Sequence, residues 1–389
     1  MKKFTMLFSL FILSTVLCFS QNTYYEDISF SYLRGPLQPL PTEIKSYVVI
    51  ANVDYAADIA IQKESWEKSK EETIQQNEAE KQEYKEKSLG NKLVSRALLD
   101  EEKPKDVIIG EKYFSKVYDA AGVSSRIKFD GYQASSSSDL KIEVILLGFE
   151  FLIEEDIKEK TKDDVTTKEY SYKISYKHPM EIKLFDSFDE EINYSEMADF
   201  KSFQTKNTKK FSSSYALEKY WRENKISYLS KLDEKVTRDN LKTINNYLNS
   251  QFGYSTIEKN SAIAMVKPKK FEYPEYFNAY EQIFTGYSYM MDNKIDAVNY
   301  INEAITNWET ALKESDKENK KARINLKVTA VTHLNCAEAY CWIDDFKNAR
   351  RHIMKIKMLK TKKYDKKVEA LQNFMEDQEK RYKALQQVS

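Results

Sequence analysis

Three hydrophobic patterns follow one another along the chain. The first is a predominantly apolar run at 6–19, preceded by Lys2-Lys3 and followed by Ser20-Gln21-Asn22. The second has a period of two. Ile28 to Leu33 and Ile44 to Tyr55 read as extended segments on either side of the proline-rich 35–41, which cannot be regular structure. Tyr47-Val48-Val49-Ile50 is apolar on both faces and suits a central strand. Leu140, Ile142, Val144 and Leu146 alternate with Lys141, Glu143 and Ile145, and Gly148 then shifts the phase to Phe149 and Phe151, as a bulge would. Tyr170, Tyr172, Ile174 and Tyr176 alternate again, followed by Met180, Ile182 and Leu184 after His178-Pro179. These segments predict antiparallel neighbours in a twisted sheet, with the polar 154–167 as a connection and 186–191 as a hairpin turn.

The third pattern is helical. Mixed charges at helical spacing predict an exposed helix in 62–105. Leu217, Tyr220, Trp221, Leu229 and Leu232, then Leu241, Ile244 and Leu248, predict a helical connector, and from about Tyr273 nearly everything is helix. The expected fold class is therefore α+β. A signal segment at 1–20 precedes a mixed sheet domain at 21–205 carrying a charged helical insertion at about 62–105. A helical connector at 206–268 leads to an all-α domain of helical hairpins at 269–389.

The cationic start, the apolar centre and the small residue at the exit make 1–20 a secretory signal with cleavage expected near Ser20. Its apolar run of 14 residues is short of the roughly 20 needed to span a bilayer, so no membrane span is expected after its removal. Cys18 follows the bulky Leu17, unlike the Leu-Ala-Gly-Cys string of bacterial lipoproteins, which argues against a lipid anchor. The Lys, Asn, Ile and Tyr bias is that of an AT-rich bacterial genome, as in the Bacteroidetes. Together these place the chain in the periplasm or at the surface of a Gram-negative cell.

Charge then narrows the partners. Lys and Arg total 61 and so do Asp and Glu, so no global field points to nucleic acid or to an anionic membrane. Beyond the signal only Cys336 and Cys341 remain, and five residues apart on a helix they point about 140° apart and cannot bridge.

The segment 334–349, Leu-Asn-Cys-Ala-Glu-Ala-Tyr-Cys-Trp-Ile-Asp-Asp-Phe-Lys-Asn-Ala, resembles the middle of a tetratricopeptide repeat. Ala337 and Ala349 stand at that family's small positions on the two helices, Tyr340 at its aromatic position and Asp345-Phe346 at its turn; Asp344 replaces the usual turn glycine. A poorer copy runs through Gly286, Tyr289, Ala297, Ile301 and Ala304. The resemblance implies a groove that receives a peptide or a partner's helix, walled by Asn335, Glu338 and Trp342 and continued by Tyr280, Phe284 and Tyr287. It implies that Asn335 holds a ligand's backbone. The Lys and Arg clamp that grips a terminal carboxylate in chaperone-binding members is missing.

Catalytic signals are weak. His178, His333 and His352 lack metal-ligand spacing, and neither a Gly-x-Ser-x-Gly elbow nor a phosphate-cradling loop occurs. Ser65-Trp66-Glu67-Lys68 fits a Ser-x-x-Lys string without its Lys-Thr-Gly partner. The acids at 154–156 and 186–191 read as solvated hairpin tips rather than calcium ligands. The expectation is an exported, non-catalytic interaction protein of the cell envelope, with no cofactor, no metal and no nucleic acid, whose partner is a protein or peptide. A secreted hydrolase with an unrecognised site and a self-assembling envelope component are the alternatives.

Overall fold

The computed structural model describes residues 22–87, 105–107, 109–162, 164–195 and 198–388. The expected signal at 1–20, Cys18 included, and residues 88–104 of the charged insertion lie outside them. The fold is mixed α+β, and the chain divides into two compact units: Leu40–Ser250, and the residues up to Pro39 together with Gln251 onward.

In the first unit two sheets share the strands. β2 (Ser46–Val53), β3 (Gln133–Ala134), β4 (Leu140–Leu146), β7 (Met180–Asp186) and β8 (Glu191–Ser195) form a sheet in the order β3-β2-β4-β7-β8. β2 runs parallel to β4, with Tyr47 opposite Leu140, because the charged helix α1 (Ala56–Glu86) and the short α2 (Ala120–Ser124) lie between them in the chain. β5 (Glu150–Lys162), β6 (Val165–Lys177) and β9 (Gln204–Asn207) form the second sheet, and α3 (Ala198–Lys201) precedes β9.

Two expectations are corrected here. Gly148 is a corner rather than a bulge: with φ +98° it turns the chain from the first sheet into the second, and the Tyr55 ring lies 3.0 Å from where a Cβ would sit. The polar 154–167 is strand rather than connection. β5 and β6 continue through it as a hairpin that reverses at Asp164, φ 61°. Ion pairs Lys160–Glu169 (2.7 Å) and Lys168–Glu159 (3.0 Å) cross it, and a strand stabilised this way lacks the apolar alternation that betrays strands elsewhere.

Of the helical connector expected at 206–268 only Ser214–Gln251 is helix (α4), which belongs to this unit, and 255–266 is strand instead. Leu229, Leu232 and Val236 pack on Phe149, Ile174 and Tyr176. Asn245 and Asn249 extend the backbone ladder by side chain: each accepts from one amide and donates to one carbonyl in 126–130, at 2.7–3.0 Å.

The second unit is built from two segments far apart in the chain. β1 (Thr23–Arg34), expected within the sheet domain, instead pairs antiparallel along its whole length with β10 (Ser255–Val266). This ribbon lies on two helical hairpins, α5 (Pro274–Ser288) with α6 (Lys294–Leu312) and α7 (Leu326–Trp342) with α8 (Phe346–Met358). A turn of 3₁₀ helix (Lys362–Tyr364) and α9 (Asp365–Val388) complete it. The observed division thus differs from boundaries at 205 and 268, because sequence-distant strands close one core. Among the described residues no helix is long and apolar enough to cross a membrane.

Helix α5 approaches α6 closely at Gly286, where an added Cβ would lie 2.9 Å from Ile301 Cγ1 and 3.1 Å from the Ala297 carbonyl oxygen. Ala297 and Ile301 are fully buried and have nowhere to retreat. Gly286→Ala should therefore destabilise the protein by about 1–2 kcal/mol, the overpacking penalty of up to about 3 kcal/mol exceeding the ~1 kcal/mol gained in helix propensity. Urea unfolding measures it, and a midpoint equal to or above the parent would show that the two helices are not in this contact.

Candidate partner-binding surface

Helix α7 is apolar nearly all round, so it can only be a central helix. Asn325 caps it, its Oδ1 accepting from the amides of Lys327 (3.1 Å) and Val328 (3.2 Å). One face of α7 packs against α8, where Ala337 and Ala349 are both fully buried. The turn between them places Asp344 at φ 62° and caps α8 with Asp345, whose Oδ1 accepts from the Asn348 amide at 3.0 Å.

The opposite face of α7 is the expected partner groove, and the ribbon fills it. Asn335 is buried; its Oδ1 accepts from the Ala264 amide and its Nδ2 donates to the Ala264 carbonyl, both at 2.9 Å. Both polar groups of Ala264 therefore point away from β1, and Asn335 serves as a third strand at that edge. Trp342 is 3% exposed and Tyr287 1%. Phe30 stacks on Tyr287 at 4.3 Å and meets Trp342 edge-on at 5.1 Å; Tyr32 meets Trp342 at 4.7 Å and Phe374 at 5.0 Å closes its remaining side. The expectation that Asn335, Trp342 and Tyr287 wall an open groove is corrected: aromatic residues at helical spacing supply the seat of the chain's own ribbon.

Glu338 remains half-buried, its Oε1 accepting from Ser261 Oγ at 2.7 Å. Burial pushes its carboxyl above the ordinary range, against that hydrogen bond and nearby Lys259. Glu338 and Asn335 line what is left of the groove, a cavity of about 230 Å³ bounded also by Tyr25, Lys259, Lys367 and Phe374.

Two expected residues do face outward. Phe284 is 54% exposed on α5 and Tyr280, half-buried, lies 6.4 Å from it. Phe277, one helical repeat before Phe284 and 58% exposed, extends the stripe. The i, i+3, i+7 spacing of 277, 280 and 284 carries that signal in the sequence.

The fold also gathers polar groups far apart in sequence. His333 Nδ1 and His352 Nδ1 lie 3.0 Å apart, and Glu309 Oε1, 3.3 Å from His352 Nε2, accepts from the Tyr340 hydroxyl at 3.0 Å. In the other unit, fully buried Asp233 accepts from Tyr113 (2.8 Å), Tyr118 (3.0 Å) and the Lys116 amide (3.0 Å) and lies 3.3 Å from His178 Nδ1. Burial opposes its ionisation, and the bonds from His178, Lys116 and Tyr113 more than offset this, holding the carboxyl below its ordinary range. Asp233 and His178 are wholly enclosed, whereas Glu309 leaves the histidine pair at a partly exposed edge. Ser65 and Lys68 of the Ser-x-x-Lys string are exposed on α1. Asp186 spends its Oδ1 on the amides of Phe188 and Glu190, and among the described residues no group of acids, histidines or cysteines is arranged to hold a metal. No protein-family model, curated protein or solved structure matches the chain.

Removing the Asn335 amide would strand both polar groups of Ala264 in the core, so Asn335→Ala should cost on the order of 3 kcal/mol. Chemical denaturation tests this; an unshifted midpoint would mean that the ribbon does not depend on the clamp.

The histidine pair makes stability depend on pH. Burial lowers His333 to about 3, with His352, Lys355, Lys317 and Arg351 adding to the effect; burial and Lys355 lower His352 to about 4 against the pull of Glu309. The unfolded chain, with histidines near 6.5, takes up protons first as pH falls. The contribution is thus complete above about pH 6.5 and declines toward pH 4, by at most ~1.4 kcal/mol per pH unit for each histidine. Unfolding midpoints should drop between pH 7 and pH 5, less steeply in His352→Gln. Identical slopes for parent and variant would contradict the coupling.

Proposed function

We propose that this is an exported, non-catalytic interaction protein of the bacterial cell envelope, whose C-terminal hairpins are a tetratricopeptide-like domain docking a protein partner. The short apolar run behind Lys2-Lys3 supports export. The repeat reading is supported by buried Ala337 and Ala349 on paired helices and by Asp344, which at the turn-glycine position adopts the left-handed conformation glycine would supply. It is supported again by Asn335, which grips a backbone as the family's ligand-holding asparagine does, although here the backbone is the chain's own.

With the groove occupied, docking falls to the outer stripe of α5. The observation that carries this is the exposure of Phe277 and Phe284, 58% and 54%, on a helix whose other face holds the buried Tyr276, Ala279, Ile283 and Tyr287. Large aromatic side chains grouped on one exposed face are the residues that anchor interfaces.

A photo-cross-linking residue at position 284, in cells or envelope extracts, should capture a discrete partner. Phe277→Ala with Tyr280→Ala should abolish the adduct and weaken binding by on the order of 2 kcal/mol or more while shifting thermal stability little. Partner binding unaffected by these substitutions, or loss of the fold on making them, would remove α5 as the docking face.

A further inference from the structure

The balanced charge of the whole chain conceals a local segregation. Residues 347–367 contain ten Lys and Arg and a single acid, Asp365. They run along α8, through the 3₁₀ turn and into α9. Helix α8 buries Phe346, Ala349, His352, Ile353 and Ile356 and turns Arg351, Lys357 and Lys360 outward at its other face and end; Lys362, Lys363 and Lys366 follow, all exposed, while Lys367 lies over the Tyr25 ring at the ribbon. Among the described residues only Arg350 of the ten is ion-paired, with Glu379 at 2.6 Å. Lys327, on α7, is held below its ordinary value first by burial and then by Lys363 and Lys269.

Within this basic face stand two apolar side chains without cover. Met354 and Met358, one turn apart, are 58% and 76% exposed. An acidic protein or a nucleic acid would account for the lysines but leave both methionines unexplained. A lipid surface accounts for both, because lysines meet anionic headgroups while flexible apolar side chains enter the interfacial layer. The face is the outside of a helix and a turn, which suits a flat surface better than a groove ligand.

We propose that the 347–367 corner is a peripheral membrane contact, seating the helical unit on anionic phospholipid headgroups with Met354 and Met358 inserted at the interface. The contact is distinct from the α5 stripe and does not depend on it.

The test is co-sedimentation of protein spanning 21–389, so that the apolar run at 6–19 cannot contribute, with vesicles of phosphatidylcholine alone or containing phosphatidylglycerol. Binding should require phosphatidylglycerol and weaken with salt. Each neutralised lysine should lower the partition coefficient about five-fold, so Lys360→Gln/Lys363→Gln/Lys366→Gln should lower it on the order of a hundred-fold. Met354→Ser/Met358→Ser should reduce vesicle binding while leaving retention on heparin unchanged. Circular dichroism establishes that each variant keeps its helices. Absence of binding, equal binding to phosphatidylcholine, or a methionine variant that binds vesicles like the parent would overturn the proposal, the last by reducing the face to a general polyanion site.

Discussion

The contact of Phe30 and Tyr32 with Tyr287 and Trp342 is the constraint on which the second unit depends. Each of these rings removes an apolar area from water worth about 1.5–3 kcal/mol, and ring pairs in such geometries add about 0.5–1.5 kcal/mol. The helices cannot bury their aromatic face against each other, because that face belongs to the inside of a groove. It must be covered, and two strands separated by more than two hundred residues supply the cover. Once they lie there, the free edge of β10 needs partners for its backbone, and Asn335 provides them for Ala264. Topology follows from this closure: β1 and β10 meet in one unit, and Leu40–Ser250 is inserted between the two strands.

The local elements were legible because their periods are local. Strands 140–146 and 180–186, the α7–α8 hairpin and its Asp345 cap can all be read from residues within a few positions of one another. Asp344 was correctly placed at a turn that prefers glycine, and its φ of 62° is why. Pairing was not legible. Nothing within Ile28–Leu33 says that its partner is 255–266 rather than the neighbouring 46–53, since both present the same alternation. The polar arms of β5 and β6 escaped for a related reason: cross-strand ion pairs become visible only when the register is known.

The candidate surface was misread where one cue served two ends. Aromatics at helical spacing mark equally a groove awaiting a ligand and a groove already filled, and the ribbon decides between them only in three dimensions. Exposure then separates Tyr287 and Trp342, which hold the ribbon, from Phe277 and Phe284, which do not, while Tyr280 is partly buried against the same core. A balanced total hides local charge. A sum of zero over 389 residues coexists with a corner of ten cations and one acid. On the proposed reading the helical unit therefore carries two outward faces of unlike chemistry, aromatic on α5 and basic with two methionines on α8. The ribbon-filled wall is the scaffold that holds both.

Removing the first strand is the most direct test of that account. A chain beginning at residue 36 lacks Ile28, Phe30 and Tyr32 but retains every helix and all of Leu40–Ser250. Its thermal unfolding, followed by far-ultraviolet circular dichroism with Trp342 fluorescence isolated in a background of phenylalanine at the other three tryptophans, should show Trp342 exposed to solvent. The transition of the helical unit should be lost or strongly lowered. A Trp342 environment and a helical transition unchanged by the deletion would contradict the claim that the ribbon closes the groove.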